Sequence, residues 1–243
     1  MKKFLLNFCY DGSEFHGWQN QKNIRTVQNV MEGIAEQIFK SKTAIIASGR
    51  TDSGVHAINQ YAHFSAKTRM EPINVLKAFN SNLPKAIFIK KCQLADIDFH
   101  SRFSAKQRDY IYKITKQYSP FSRNYAVFFA NKQICVEKLN RASKFLLGEH
   151  DFQFFAKDTS HLNHCNCDVY SAEWKQDEEY YYFSISANRF LHNMVRRIVG
   201  TLIKISNDGL SDNYIENAFT TQAHASLGNT APAHGLYLQN VKY

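Results

Sequence analysis

The order in which hydrophobic periodicity changes along the chain constrains its fold more than any other feature. Residues 3 to 10 have the pattern of a strand. "TVQNVMEGIAEQIFK" then places Val27, Val30, Met31, Ile34 and Ile38 on one helical face, behind Thr26 as a possible N-cap. "TAIIASG" and "INQYAHFSA" read as two strands joined by a polar loop. "EPINVLKAFNSNL" has a helical pattern stopping near Pro84, and "AIFIKKCQL" returns to strand. Residues 1 to 95 thus run β-α-β-β-α-β. The second half repeats the order with longer connections: strand "RDYIYKITK", helix "VEKLNRASKFLLG" ending at Gly148, a hairpin of "DVYSAEWKQ" and "EYYYFSISA", and helix "FLHNMVRRIVGTLIKI". In that last helix Leu191, Val195, Ile198 and Leu202 form the buried side. A short helix over about 211 to 220 and a closing strand "GLYLQNVKY" follow. The expected class is α+β, two ferredoxin-like (βαββαβ) halves with a joined antiparallel sheet. The expected division is residues 1–104, carrying the polar loop, and residues 105–243. No residue-level repeat relates the halves, so the duplication rests on element order alone.

The polar loop lies within "ASGRTDSGVHAINQYAHF", residues 47 to 64, and holds a single carboxylate, Asp52, two residues after Arg50. Asp, Ser and Gly are ordinary turn formers, so the loop alone has an unremarkable explanation. The neighbouring guanidinium, however, favours the ionised carboxylate, which suits a nucleophile or an ion-paired base and not a general acid. Between the first strand and helix, "YDGSEFHGWQNQKNIR" is too long for a tight connection. Its Phe15 and Trp18, taken as exposed, point to a functional loop.

Charge narrows the partners. Thirty Lys and Arg against 21 Asp and Glu leave a net charge of +9 and a pI near 9.2, a balance that suits a polyanion. Aromatic residues form 14% of the chain, many beside Arg or Lys as in "FHSRFSAKQRDYIYK". Most belong in strand cores, but the arrangement also offers stacking platforms to unpaired bases. Five cysteines without repeated C-x2-C spacing argue against a disulfide framework. "HLNHCNCDV" gathers His161, His164, Cys165 and Cys167. Their spacing is too tight for a structural zinc site and no second pair follows, so the tract is read as a polar loop before a strand. The apolar run in "MKKFLLNFCYDG" is cut by Asn7, so it is expected to be a strand and not a signal peptide. With no later membrane span, the expected compartment is the cytoplasm.

No G-x-S-x-G, H-E-x-x-H, G-x4-G-K-[ST] or G-x-G-x-x-G motif occurs, which removes support for acyl transfer, zinc proteolysis, NTP hydrolysis and dinucleotide chemistry. One carboxylate, several arginines and stackable aromatics remain. They fit chemistry at a nucleotide's glycosidic bond without a metal or diffusible cofactor.

Ordered blocks then carry a resemblance over nearly the whole chain: "YDGSEFHGWQNQ", "TVQNVME", "GRTDSGVHA", "NLP", "FHSRFSAKQRDYIYKI", "LLGEHDFQFF", "ANRFLHNMVRRIVGTL" and "APAHGLYL" before "VKY". In these the chain resembles the tRNA pseudouridine synthase A family. The resemblance implies the pseudouridine synthase fold and conversion of uridine to pseudouridine on the 3′ side of the tRNA anticodon stem-loop, by a homodimer. It implies Asp52 as the catalytic residue, a nucleophile, with addition to C1′ and removal of a C2′ proton both open, and Arg50 as the arginine of the same motif. Tyr110 corresponds to the tyrosine that stacks on the target base, Arg196 to the basic residue that pairs with the aspartate, and Leu236 to an apolar pocket residue. Arg197 falls at a variable place and is expected at the surface. Two departures stand out: Ser53 where alanine is usual, and Asn166, Cys167 and Asp168 where an arginine commonly precedes the strand. The rivals are a non-catalytic RNA-binding module, which has no use for Asp52, and a metal-dependent nuclease, which needs converging carboxylates or histidines.

Overall fold

The computed structural model describes residues 1–160, 162–220 and 227–243 and has the expected mixed α+β class, with mostly antiparallel strands. The chain divides into two compact units, Met1–Lys106 with Tyr237–Tyr243, and Gln107–Leu236.

In the first unit, β1 (Lys2–Tyr10) lies between β3 (His56–Ala66) and β4 (Ile87–Leu94), antiparallel to both. Strand β9 (Leu236–Lys242) runs parallel to β3, with His56 opposite Tyr237 and Ala57 opposite Leu238. Helix α1 (Val27–Phe39) starts where expected. Thr26 accepts from the Asn29 amide while the Asn29 side chain accepts from the Thr26 amide, a reciprocal cap. Its face buries Val27, Met31, Ile34 and Ala35, with Val30 and Ile38 only half-buried. Helix α2 (Pro72–Asn82) carries its proline in the first turn and contributes Val75 and Phe79 to a core that includes Phe4 and Phe64.

The strand expected over "TAIIASG" shrinks to β2, Ile46–Ala47. The backbone of Ile45 is diverted to α1: its N–H donates to Glu32 at 3.0 Å and its carbonyl accepts from Gln28 at 3.3 Å, so no ladder forms there.

The second unit orders its strands β5 (Gln107–Thr115), β8 (Tyr180–Ala187), β7 (Asn166–Gln176) and β6 (Gly148–Asp151), all antiparallel. Helix α3 (Val136–Ser143) ends short of Gly148, because its last turn tightens into a 3₁₀ turn, Lys144–Leu146. Strand β6, absent from the sequence reading, follows at once. Helix α4 (Met194–Asn207) begins later than expected: Asn193 is left-handed (φ 62°), which leaves Leu191 buried but outside the helix. Helix α5 (Tyr214–Thr220) completes the unit. Among the described residues, no helix is long and apolar enough to cross a membrane.

Candidate active site

Asp52 is half-buried on the loop from β2 to β3, with Arg50 exposed beside it. The loop is fastened at several points. Upstream, the fully buried Gln60 accepts from the Ser48 hydroxyl at 2.6 Å and donates to the Gly49 carbonyl at 3.1 Å. At the centre, the buried Thr51 hydroxyl lies 2.8 Å from that of Tyr10, and its carbonyl accepts from the Trp18 amide at 3.0 Å. Downstream, the Gly54 amide donates to Phe15 and the Val55 amide donates back to the Asp52 carbonyl at 3.1 Å. Burial pushes Tyr10 up to about 12 despite opposing hydrogen bonds from Thr51 and Gln60, so it stays a neutral phenol that fixes Thr51.

The long loop after β1 therefore has a different part from the one expected. Phe15 and Trp18 are not exposed; each is 3% accessible, with Trp18 packed 5.8 Å from Phe8 and Phe15 beneath the Arg25 guanidinium. Aromatic burial anchors the loop so that its backbone can hold the Asp52 loop. Two glycines make the approach possible. A Cβ at Gly12 would lie 2.1 Å from the Val55 carbonyl oxygen. One at Gly17, whose φ is +85°, would lie 2.7 Å from that of Thr51 and 3.0 Å from the Asp52 carbonyl carbon. Nearby, His56 Nδ1 lies 3.0 Å from the Gly12 amide and 3.2 Å from the Asp11 carboxylate, and its ring stacks on Tyr237 at 4.6 Å.

Tyr110, Arg196 and Leu236 lie in the second unit. Tyr110 on β5 is 9% exposed and meets the edge of Phe190 at 5.1 Å. Tyr112, two residues on and so on the same strand face, is fully buried and donates to the Pro232 carbonyl at 2.8 Å. Burial pushes its phenol far up, and the charge of Arg196 pulls the other way. Arg196, in the first turn of α4, donates from Nε to the Ala231 carbonyl at 2.7 Å and from a terminal nitrogen to Asn193 at 2.9 Å, while the Ala231 amide donates back to the Arg196 carbonyl. Leu236 is buried at the start of β9. Arg197 is not the surface residue expected: it is half-buried and donates to the carbonyls of Phe154 and Ala156 at 3.0 and 2.6 Å, which ties α4 to the 3₁₀ turn at Gln153–Phe155.

Sequence reasoning passed over Gln60, the amide that fixes the Asp52 loop from below. The one local trace is its parity with Ala62, Phe64 and Ala66 on β3, which marks it as core-facing without showing what it bonds.

In the His/Cys tract, His161 lies outside the described residues. Cys165 and Cys167 are buried, the Cys167 thiol points at the Cys165 carbonyl, and burial pushes that thiol up to about 12. Where Asn166 replaces part of the usual arginine segment, its amide donates to Glu149 at 3.2 Å. Among the described residues, no three His, Cys, Asp or Glu side chains gather as a metal site.

Comparison with known proteins gives this geometry its family. The family model described as tRNA pseudouridine synthase matches residues 8–104 and 142–243, leaving Tyr110 between the two matched stretches. The tRNA pseudouridine synthase A of Geobacillus sp. (strain WCH70) is 38% identical over 245 residues, covering 100% of this chain and 98% of the relative. That of Thermosipho melanesiensis is 36% identical over 245 residues and 100% of both chains. The protein named tRNA pseudouridine synthase A 2 of Bacillus anthracis is 35% identical over 246 residues, again 100% of both. Matches that take in both units at these identities show that the chain belongs to the tRNA pseudouridine synthase family, isomerases of uridine in tRNA.

Proposed function

We propose that the chain isomerises uridine in the anticodon stem-loop of tRNA, with Asp52 as the catalytic carboxylate. The observation that carries this reading is the fastening of the Asp52 loop by Gln60, Tyr10 and the loop after β1, since a single carboxylate is preorganised there from three directions. The reaction conserves all atoms of the uracil: N1–C1′ breaks, C5–C1′ forms, C5 gives up its proton and N1 takes one. Asp52 acts on the ribose, either by adding to C1′ or by taking a proton from C2′, with Arg50 as the cation of the same loop. Tyr110 stacks on the target base and assists loss of the C5 proton. Arg196 supports the carboxylate, and Leu236 lines the pocket.

A uridine inside a stem must first leave it, at a few kcal/mol, roughly offset by stacking on one aromatic ring (about 1–3 kcal/mol) and by phosphate contacts. The basic surface supplies affinity and Asp52 the reaction. The compartment consistent with this substrate is the cytoplasm and the working species a homodimer.

Tritium release from [5-³H]uridine-labelled tRNA transcripts, with EDTA present, tests the reading. Wild type is expected to release tritium and Asp52→Ala none, while tRNA binding changes by no more than a few-fold, because one carboxylate contributes little to holding a polyanion. Binding without release by wild type would favour a non-catalytic RNA-binding module. Binding lost in step with activity would overturn the division of labour.

A further inference from the structure

The segment after β5 exposes Tyr118, Phe121, Tyr125 and Phe128 within eleven positions, whereas elsewhere only Phe88, Phe103 and Tyr170 among the described Phe, Tyr and Trp side chains are exposed. This segment is built, not loose. The Val127 amide donates to the Lys113 carbonyl at 3.1 Å and the Thr115 amide to the Val127 carbonyl at 2.8 Å. Turn bonds from Ser122 to Ser119 and from Tyr125 and Ala126 to Ser122 close it. It frames a hollow of about 340 Å³ lined by Tyr118, Ser119, Ser122, Arg123, Phe128 and His234, among others. Tyr118 and Phe128 meet edge-on, centroids 6.1 Å apart, so neither ring stacks its face on the other. Phe128 also walls a second hollow, of about 330 Å³, with Lys116 and Lys132. Neither hollow has a carboxylate in its lining, and Arg123 makes no ion pair among the described residues.

We infer that the hollow walled by Tyr118 and Phe128 receives an unpaired nucleobase of the tRNA substrate other than the target uridine, with Arg123 on an adjoining phosphate. The volume accommodates a base with part of its sugar. Two aromatic walls offer the sequence-tolerant stacking that unpaired bases use, the Ser119 and Ser122 hydroxyls offer polar contacts at the base edge, and the cation-only rim complements a polyanion. A second copy of this chain fits less well, because a two-fold contact here would set Arg123 and Lys116 against the same cations. The site belongs to the same unit as Leu236: His234 precedes it by two residues, and the Pro232 carbonyl in the lining accepts from Tyr112. The inference rests on the reading of the chain as a tRNA-modifying enzyme, and it adds a contact that positions the RNA.

The test uses the full chain and unmodified tRNA transcripts. Tyr118→Ala is expected to raise KM about tenfold and Tyr118→Phe to restore it. Arg123→Gln should raise KM and lower the slope of log binding constant against log salt by about one. Phe121→Ser, altering a 91% exposed ring outside both linings, serves as the control and should leave KM unchanged. Transcripts carrying 2-aminopurine at single unpaired positions should show one position quenched by wild type and not by Tyr118→Ala. KM within twofold of wild type for both Tyr118→Ala and Arg123→Gln would overturn the inference. So would a Tyr118→Ala protein that loses tRNA affinity only because light scattering shows it has dissociated. Tritium release by wild type is scored separately: its absence, with Tyr118-dependent quenching intact, would defeat the isomerase reading and leave the base site standing.

Discussion

At Gly17, a missing side chain sets where Asp52 lies. Alanine there would have to adopt φ near +85° and put its Cβ 2.7 Å from the Thr51 carbonyl oxygen, with backbone and not a movable side chain in the way. The left-handed conformation alone costs about 1–2 kcal/mol, and relief of the clash must push the Asp52 loop outward. Gly17→Ala is therefore expected to lower kcat about a hundredfold, the cost of a displacement near 1 Å, while tRNA affinity stays close to wild type; single-turnover tritium release and a binding titration measure the two. In the sequence Asp52 stood out only as the loop's lone carboxylate beside an arginine; the same residues make ordinary turns, and its catalytic role came from the ordered blocks of the resemblance. Gln60 and the burial of Phe15 and Trp18 were not legible, because nothing local shows that a loop aromatic faces inward or which amide a strand glutamine will reach.

Among the elements, the contact of α4 with the segment before β9 places Arg196. Gly200 and Gly228 let the two backbones touch: a Cβ on Gly200 would lie 1.7 Å from the Asn229 carbonyl oxygen, and one on Gly228 would lie 2.2 Å from that of Gly200. That closeness puts Ala231 in reach of Arg196, which it holds by reciprocal hydrogen bonds. Gly200→Ala should destabilise the protein by about 1–3 kcal/mol, the usual range for overpacking. This reverses the gain of up to about 1 kcal/mol that helix propensity alone would give. Urea denaturation gives the sign directly. From sequence, Gly200 reads as a mild flaw in an apolar helix, whereas α1 was legible to its cap because Thr26 and Asn29 sit at the spacing that lets each satisfy the other's backbone. Strand β6, the four residues Gly148–Asp151 with no aliphatic side chain, has no alternation to betray it.

For the whole molecule, pH reaches the fold through His63 on β3. Its Nδ1 accepts from the Ser101 amide at 3.1 Å, and burial, with His100 and Lys3 nearby, pushes it down from 6.5 to about 4. The unfolded chain takes up this proton through pH 6.5 while the folded one resists until about 4, so stability is full above that window and falls as pH drops across it. Thermal melts from pH 7 to 4.5 should show a steeper decline for wild type than for His63→Gln. The α+β class was legible from alternating periodicities; the grouping of β9 was not, because a strand's sequence does not name its neighbour. That grouping affects the chain's synthesis. Ribosomes deliver residues in order, so the strand seated beside His56 emerges only after all of residues 107–236. A nascent chain can display the Asp52 loop long before it has the strand that completes the sheet behind it, so an unfinished polypeptide lacks part of the scaffold of the finished enzyme.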